Sequence, residues 1–311
     1  MKIIPPRFTV LDRLDRESLP VRIEYCGRVC YKSEDRIDRE SAIPFVAKMA
    51  EHGHNSVLEM GVLTLQVDCQ SAGEINELFR CQPRYLFIDI LDGNRLLVTG
   101  SVRAFREMQL FHPNCAPVRA MSGFLHRCHD WFFVGIPLDE ESTPDPPIQV
   151  KKVDLAQVDR FPPLQLEKHR HIAVKFVVNR AVTHEIVRHR PCSFLQESQR
   201  YCRYSDDKFG SEVTFIKPLF FTEGSVEYNV WQQAMRETEK MYLQLLETCT
   251  PQAARTVLPN SCKTELIVYC NLAEWRHIFR LRTSKAAEPS MREVMIPLQE
   301  DFRERFPAVF A

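Results

Sequence analysis

The sequence predicts an α+β protein in which an antiparallel β-sheet is wrapped by helices. Two apolar runs, Tyr85 to Ile90 and Arg95 to Val98, flank Asp92-Gly93-Asn94, whose glycine can take the positive φ of a tight hairpin turn. Residues 171–180 and 264–270 show the alternation and the β-branched side chains of strands. A stripe at helical spacing predicts a long helix, which we expect to pack on the core or on another subunit. The stripe consists of Trp231, Ala234, Thr238, Met241 and Leu245.

Four further elements are predicted in the first half of the chain. Residues 41–49 have a helical pattern, and residues 62–70 alternate like a strand. Ser71, with Glu74 three residues later, forms a capping box that opens another helix. After the hairpin, the chain is expected to become helical near Val102.

A short helix is expected directly after the strand at 171–180. Thr183 can cap this helix at its N-terminus. Pro191 disfavours helical geometry at the residue before it, which places the basic segment 188–190 on the last helical turn. Cations at that end would complement the helix dipole.

Two more helices are predicted towards the C-terminus. Thr250, followed by a proline, can start a short helix that carries Arg255. Asn271, with Glu274 three residues later, marks the start of the next helix. Its apolar stripe leaves Arg282 near the C-terminal end, where a cation is favourable. The stripe consists of Leu272, Trp275 and Phe279.

The chain is expected to form either one continuous domain or two parts joined by a linker. We assign residues 1–137 to an N-terminal part, 138–165 to a linker or loop, and 166–311 to a C-terminal part. The segment 138–147 is acidic and rich in proline, which is typical of an exposed loop. No internal repeat is evident, which argues against a solenoid or a propeller.

Composition and sequence pattern argue against several classes of protein. The 311 residues include 41 basic and 41 acidic side chains, so the chain has no net charge and a general nucleic-acid binder is disfavoured. No apolar run approaches the length needed to cross a bilayer, and the N-terminus lacks a signal-peptide core. The 11 cysteines contain no C-x-x-C pair, which favours reduced thiols. We expect a cytoplasmic protein without membrane or nucleic-acid partners.

A basic cluster, Arg188-His189-Arg190, is followed by Ser198 and Arg200. Arginine stays charged at physiological pH, and its planar fork of donors matches phosphate or carboxylate oxygens two at a time. These side chains therefore suit a site for an anionic, planar ligand. The alternative interpretation is a solvated run of charge at the end of a helix.

The spacing of Arg188-His189-Arg190, seven residues and Ser198 resembles the signature of the flavin-dependent thymidylate synthase family. Other segments are similar to motifs of that family and occur in the expected order. They are Arg28 to Tyr31, His54 to Glu59, His184 to Val187, Gln196 to Tyr201, Ala254 to Pro259 and Asn271 to Arg282. Several separate motifs over most of the chain argue against chance agreement.

The resemblance implies a reaction, its cofactor and an assembly. It implies methylation of dUMP at C5 to give dTMP, with methylenetetrahydrofolate as carbon donor and NADPH as reductant. FAD would pass the reducing equivalents, so the protein would supply positioning and electrostatic stabilisation. The family's members are homotetramers whose active sites combine residues from several subunits.

The resemblance also assigns roles to individual residues. Arg282 would be the catalytic residue, because it would stabilise negative charge on the uracil as N3 ionises. The residues that would bind dUMP are Glu185, Arg188, Gln196, Ser198, Arg200, Arg255 and Arg282. The residues that would contact FAD are Ser56, Glu59, Arg188, His189, Arg190, Asn271, His277 and Leu281. His54 would lie near the folate or the flavin.

The chain departs from the family pattern at four positions. Met60 and Glu288 stand where many members have histidine, and Ala273 replaces an arginine near FAD, so flavin binding could be weaker. Glu185 stands where some members have glutamine; a carboxylate there would repel phosphate but could accept a hydrogen bond from a uracil N–H.

Three alternatives remain at this point. Cys192 follows a proline and could act as the nucleophile of a flavin-independent methylase, although we expect it to be a packing residue. The chain could instead be a nucleotide-binding relative that has lost flavin chemistry. Histidines at 169, 171, 184 and 189 could suggest a metal, but neighbouring arginines repel a dication and no zinc-ligand spacing is present, so no metal is predicted.

Overall fold

The structure, a computed structural model, describes residues 1–138, 147–204, 210 and 212–311. Within this part, helices surround three β-sheets, two of which are antiparallel. The predicted α+β class with antiparallel strands and surrounding helices is therefore confirmed. The proline-rich loop predicted at 138–147 lies mostly outside the described residues.

The described part of the chain contains ten strands. They are β1 (Lys2–Ile4), β2 (Arg7–Val10), β3 (Val62–Asp68), β4 (Phe87–Asp92), β5 (Arg95–Ser101), β6 (Gln149–Val153), β7 (His171–Asn179), β8 (Ser193–Gln196), β9 (Thr214–Ile216) and β10 (Lys263–Asn271). Its helices are α1 (Leu19–Tyr31), α2 (Ala42–Glu51), α3 (Asn55–Leu58), α4 (Ala72–Arg80), α5 (Val102–Phe111), α6 (Ala116–Cys128), α7 (Leu155–Val158), α8 (Pro163–His169), α9 (Arg180–Ile186), α10 (Val226–Leu246), α11 (Pro251–Ala254), α12 (Leu272–Arg282), α13 (Pro289–Arg305) and α14 (Pro307–Phe310).

The first antiparallel sheet has the strand order β2-β7-β10-β8. The two central strands pair along their whole length, from His171 opposite Asn271 to Asn179 opposite Lys263. Both strands are almost entirely buried, since helices cover the sheet, which explains their continuous apolar character. Trp275 of α12 and Phe302 of α13 belong to the core on this sheet. The strands predicted at 171–180 and 264–270 are confirmed.

The second antiparallel sheet has the order β4-β5-β3-β6 and is built from residues 62–153. The predicted hairpin is present, and Gly93 at its turn has a φ of +46°. β6 pairs with β3, so the segment 138–165, predicted to be a linker or loop, contains a strand as well as α7 and the start of α8. The division of the chain into domains stays a prediction.

Two expectations for the helix before the basic cluster are wrong. α9 is capped by Asn179, whose side chain accepts from the Val182 backbone N–H at 2.9 Å, and not by Thr183. Thr183 lies inside the helix, and its hydroxyl donates to the Arg180 carbonyl oxygen. Because α9 ends at Ile186, the basic segment 188–190 follows the helix instead of forming its last turn.

The apolar face predicted for the long helix α10 is also partly wrong. Ala234 and Met241 are exposed, whereas Trp231 is partly buried. The buried face is rotated by about one residue because α10 packs its aromatic rings, including Tyr242, against the small core that holds Phe215. The buried residues of α10 are Tyr228, Met235, Tyr242 and Leu246.

Buried polar groups join the two antiparallel sheets. The ring of His169, directly before β7, lies 2.8 Å from Thr99 Oγ1 through Nδ1 and 3.2 Å from Asp89 Oδ2 through Nε2. Nearby, the fully buried Arg170 side chain is paired with Asp15 and Asp159. The contacts of His169 fix the second sheet against the start of β7. None of the described helices is long and apolar enough to cross a membrane.

Candidate active site

Arg282, the last residue of α12, is held by two residues that precede or belong to the basic cluster. Its Nε donates to His189 Nε2 (3.1 Å), its Nη1 to Glu185 Oε2 (2.6 Å) and its Nη2 to the Glu185 carbonyl oxygen (2.9 Å). The Arg282 side chain is 17% exposed and that of Glu185 33%. The structure thus brings three predicted site residues, from α9, the following loop and α12, into direct contact.

Glu274 and His277 of α12 also lie against His189. His189 Nδ1 is 3.5 Å from Glu274 Oε1, and the rings of His189 and His277 are 5.8 Å apart. One potential ligand atom from each lies within 4.8 Å of the others, which is a spacing that a metal could use. However, Arg282 donates to His189, and Arg280 Nη2 is 2.9 Å from His277 Nδ1. Two guanidinium groups this close oppose a dication.

Gln196, at the end of β8, is connected to the helix that carries Glu185. Its side-chain amide donates to Thr183 Oγ1 at 3.0 Å and to Thr264 Oγ1 at 3.1 Å. Thr183 lies in α9, two residues before Glu185. Through these hydrogen bonds, the Gln196 side chain connects β8, which precedes Ser198, to α9, which carries Glu185.

The loop that carries Ser198 (the Ser198 loop) packs against the N-terminal motif, Arg28 to Tyr31, instead of against Arg282. The Ser198 backbone N–H donates to the Cys30 carbonyl oxygen at 3.0 Å, and the rings of Tyr31 and Tyr201 are 5.6 Å apart. Arg200 is exposed, and its Nε donates to Gln252 Oε1 on α11 at 3.1 Å. The predicted dUMP residue Arg255 follows α11 directly and is half-buried.

The segment His54 to Glu59, which we call the flavin element, opens onto the same region. His54 and Ser56 are exposed and line an open cleft of about 430 Å³ together with Tyr31 and Arg103. Burial raises the pKa of Cys30, which also lines this cleft, to about 11, so its thiol is neutral at physiological pH. The cleft thus joins two predicted motifs, 28–31 and 54–59, and Leu195 of β8 also lines it.

Glu59, the last residue of the flavin element, is held by a residue that sequence analysis did not single out. Arg103 of α5 contacts Glu59 Oε1 through Nη1 and Glu107 Oε1 through Nε, both at 2.6 Å. The same residues line a second cleft, of about 190 Å³, with His171 on its wall. Burial lowers the pKa of His171 to about 3, so its ring is neutral.

The remaining predicted site residues differ in solvent exposure and in whether their side chains already have a hydrogen-bond partner. Arg188 and Arg190 are exposed, and neither has a carboxylate partner among the described residues. Leu281 is 45% exposed. In contrast, Asn271 is buried: it accepts from the Glu274 backbone N–H and donates to the Lys168 carbonyl oxygen. In this conformation, its side chain caps α12.

The predicted residues therefore form two groups in one chain. The first contains Glu185, His189, His277 and Arg282, and the second contains His54, Ser56, Ser198, Arg200 and Arg255. Within the described part of the chain, no hydrogen bond or ion pair connects Arg282 with Arg200 or Arg255.

Comparison with known proteins shows what the C-terminal half of the chain is similar to. Residues 164–308 match the family model described as thymidylate synthase complementing protein. Curated proteins named flavin-dependent thymidylate synthase align with the chain at 30–35% identity. Over the matched range, the chain is similar to this family. The matched range carries the basic cluster, the Ser198 loop and α12, so it contains most of the two groups of site residues.

The relatives cover only part of the chain, and the chain covers only part of them. The flavin-dependent thymidylate synthase of Pyrococcus abyssi is 35% identical over 128 residues, which is 41% of this chain and 52% of that protein. That of Corynebacterium efficiens is 30% identical over 149 residues, 43% of this chain and 57% of that protein. That of Geobacter sulfurreducens is 31% identical over 134 residues, which is 43% of this chain and 56% of that protein. The chain thus spans about half the length of the curated relatives it matches.

Two of the departures from the family pattern, Met60 and Glu288, have structural roles. Met60 is 2% exposed and belongs to the main core, so it faces away from the clefts. Glu288 caps α13 by accepting from the Met291 backbone N–H at 2.8 Å. Ala273 lies on the first turn of α12 and is half-buried. None of these three side chains is a partner of Arg282 in the described structure.

Cys192 lies in the core rather than in a reactive position. It is 9% exposed, and its neighbour in that core is Cys270. Burial and a hydrogen bond with Cys192 raise the pKa of the Cys270 thiol well above its ordinary value. Because Cys192 is buried, a substrate has little access to its sulfur, which argues against Cys192 as a nucleophile.

Sequence reasoning did not assign the residues that hold the site residues in place. These are Thr183, Glu274, Gln252 and Arg103. Glu274 was read as half of a capping box, but its side chain faces His189. A signal was present for Arg103, which follows the predicted helix start at Val102, but only the fold places it beside Glu59.

Proposed function

We propose that the protein is a flavin-dependent thymidylate synthase that methylates dUMP to dTMP, with methylenetetrahydrofolate as carbon donor and NADPH as reductant. The observation that carries this proposal is the contact of Arg282 with Glu185 and His189. Fixed donors at a place where negative charge develops stabilise a transition state more than mobile donors do. An arginine held by three hydrogen bonds meets this requirement.

In the proposed reaction, Arg282 binds the uracil and stabilises the charge that develops when N3 ionises. Glu185 lies 2.6 Å from the guanidinium and has a second carboxylate oxygen that can accept the N3–H. Arg188, Arg200 and Arg255 provide the cations for the nucleotide's phosphate. Gln196 and Ser198 line the same nucleotide site.

The residues proposed for FAD fit its pyrophosphate. Arg188 and Arg190 are exposed and have no carboxylate partner among the described residues, so their donors are available to an anion. His189 and His277 place two rings beside them, and Ser56 offers an exposed hydroxyl at the open cleft. The other proposed contacts are Glu59, Asn271 and Leu281, with His54 near the folate or the flavin. The chemistry that bound FAD would supply is transfer of reducing equivalents through its N5.

We further propose a cytoplasmic homotetramer with active sites shared between subunits. Two observations support an assembly of this kind. Within the described part of the chain, no hydrogen bond or ion pair joins Arg282 to the proposed dUMP residues Arg200 and Arg255. Val226 and Val230, four residues apart on α10, are 75% and 63% exposed, and Leu219 and Phe220 precede them as exposed apolar side chains. Apolar surface of this kind is typical of interfaces.

The visible spectrum of the purified protein with added FAD tests the proposal. NADPH is then added anaerobically with and without dUMP. We expect bound flavin that bleaches faster when dUMP is present, because both ligands would occupy one site. Binding of dUMP without flavin reduction would instead support a nucleotide-binding relative that has lost flavin chemistry.

A further inference from the structure

We propose that Glu274 is a positioning residue that fixes the tautomer of His189 and, through it, the orientation of Arg282. The proposal extends the hydrogen bonds of Arg282 by one residue, to a carboxylate not assigned to the site above. It rests on the proposed function only for the role of Arg282 in turnover. The placement of the protons on His189 can be tested without substrate or cofactor.

In the observed geometry, the donor properties of arginine show which nitrogen of His189 carries a proton. A guanidinium can only donate hydrogen bonds, so the atom that faces Arg282 Nε must hold a lone pair. That atom is His189 Nε2, at 3.1 Å. His189 is therefore neutral, and its proton lies on Nδ1.

The Nδ1 proton faces the carboxylate of Glu274. The distance from Nδ1 to Glu274 Oε1 is 3.5 Å, longer than an ordinary N–H···O bond, so the pair is an electrostatic contact in this conformation. Glu274 Oε1 is buried and has no hydrogen-bond partner among the described residues. A buried carboxylate oxygen without a donor favours a proton on the nitrogen that faces it.

Local structure keeps Glu274 in this place. Its backbone N–H donates to Asn271 Oδ1 at 2.9 Å, which fixes the first turn of α12. A reciprocal capping box would turn the Glu274 side chain back to the Asn271 backbone. The side chain contacts His189 instead, so the first and last turns of α12, with Glu274 and Arg282, hold the two nitrogens of one imidazole.

A metal ion is the competing explanation for His189, Glu274 and His277. Coordination through His189 Nδ1 would move the proton to Nε2, where it would face the N–H of Arg282. Arg280 also lies 2.9 Å from His277 Nδ1. A proton on His189 Nδ1 gives Arg282 Nε an acceptor and places a donor opposite Glu274, whereas a dication would add repulsion from both guanidinium groups.

The first test is nuclear magnetic resonance of the full-length protein labelled with ¹⁵N-histidine. Long-range ¹H–¹⁵N correlations distinguish the two tautomers, and the His189→Asn variant assigns the signals. We expect the Nδ1–H tautomer in the wild type, a mixture of tautomers in Glu274→Ala, and the wild-type pattern in Glu274→Gln, because glutamine retains an acceptor oxygen. Glu293→Ala, which removes an exposed acid on α13, serves as the matched control.

The second test measures dUMP-dependent oxidation of reduced flavin by methylenetetrahydrofolate. Misplacing Arg282 should lower the limiting rate in Glu274→Ala on the order of tenfold, with a smaller change in dUMP affinity. Glu274→Gln should restore the rate, which a loss of packing alone would not explain.

Several outcomes would overturn the proposal. They are the Nε2–H tautomer in the wild type, an unchanged tautomer and rate in Glu274→Ala, and displacement of the His189 and His277 signals by stoichiometric Zn²⁺. If the wild type binds neither FAD nor dUMP, the proposed function fails, while the resonance experiment still decides the role of Glu274.

Discussion

Arg282 uses three nitrogens to contact Glu185 and His189, and lysine cannot reproduce that geometry. We therefore expect Arg282→Ala and Arg282→Lys both to abolish turnover while FAD remains bound. Flavin absorbance of the purified variants and dTMP formation measure the two properties separately. Arg276→Ala, which changes an exposed arginine on the same helix that pairs with Glu167, is the matched control.

Normal turnover by Arg282→Ala would contradict the mechanism proposed here. Loss of FAD from that variant would mean instead that Arg282 supports the flavin site. The two results separate a role in uracil activation from a role in cofactor binding.

Cys192 gives the opposite prediction, because it is buried beside Cys270 and lies outside both groups of site residues. Cys192→Ala should leave turnover within a few-fold of the wild type. The lost packing should lower the free energy of unfolding by about 1 kcal/mol. Urea unfolding and steady-state rates check the two parts. Complete loss of activity with intact flavin binding would support a cysteine nucleophile.

His171 should make stability depend on pH. Burial lowers its pKa from 6.5 to about 3, so between these values the unfolded chain binds more protons than the folded protein. Stability is then fully present above about pH 6.5 and is lost as the pH falls towards 3. We expect His171→Gln to reduce the loss between pH 7 and pH 5 by about 1–2 kcal/mol.

The measurement for His171 is urea unfolding at several pH values. His184→Gln changes an exposed histidine and should keep the wild-type dependence. An unchanged pH dependence in His171→Gln would mean that this ring is not neutral in the fold.

At the scale of helices and strands, the sequence predicted the start of a helix correctly where a single capping side chain determines it. Ser71 and Asn271 were predicted as caps, and each accepts from the backbone N–H three residues later. Thr183 failed as a cap because Asn179 offers a better acceptor one turn earlier. The buried face of α10 failed because the partner core, which sequence does not reveal, selects among several apolar positions.

The arrangement of the motifs depended on the fold more than on the sequence. The second sheet, built from 62–153, lies in the chain between the flavin element and β7. The family match at 164–308 begins after this sheet, so the motifs at 28–31 and 54–59 lie outside it. The fold nevertheless places residues 28–31 beside the loop that carries Ser198. It also places residues 54–59 beside residues 28–31.

Helix α5 of this intervening region is expected to support the flavin element through Arg103. Arg103→Ala would release Glu59, and we expect FAD affinity to fall on the order of tenfold. Glu107→Ala leaves the contact between Arg103 and Glu59 and should have a smaller effect. Equilibrium titration of flavin fluorescence measures both variants. If Arg103→Ala and the wild type bind FAD with equal affinity, α5 does not support the flavin site.

At the scale of the whole molecule, one chain leaves its proposed site in two groups. Arg282 lies with Glu185 and His189, whereas Arg200 lies near Gln252 on α11. A reaction that needs both arginines requires the two groups to meet. Exposed apolar side chains on α10 indicate a surface through which subunits could bring them together.

Mixed assemblies of two inactive variants test whether subunits share sites. Arg282→Ala and Arg200→Ala are co-expressed with different affinity tags, and the tetramers that carry both tags are purified. If each site takes Arg282 from one subunit and Arg200 from another, random mixing leaves about a quarter of the sites intact. Activity near that fraction is the expected result, with each variant co-expressed with itself as the inactive control. If both arginines act within one chain, every site lacks one of them, and the mixed tetramers will stay as inactive as the controls.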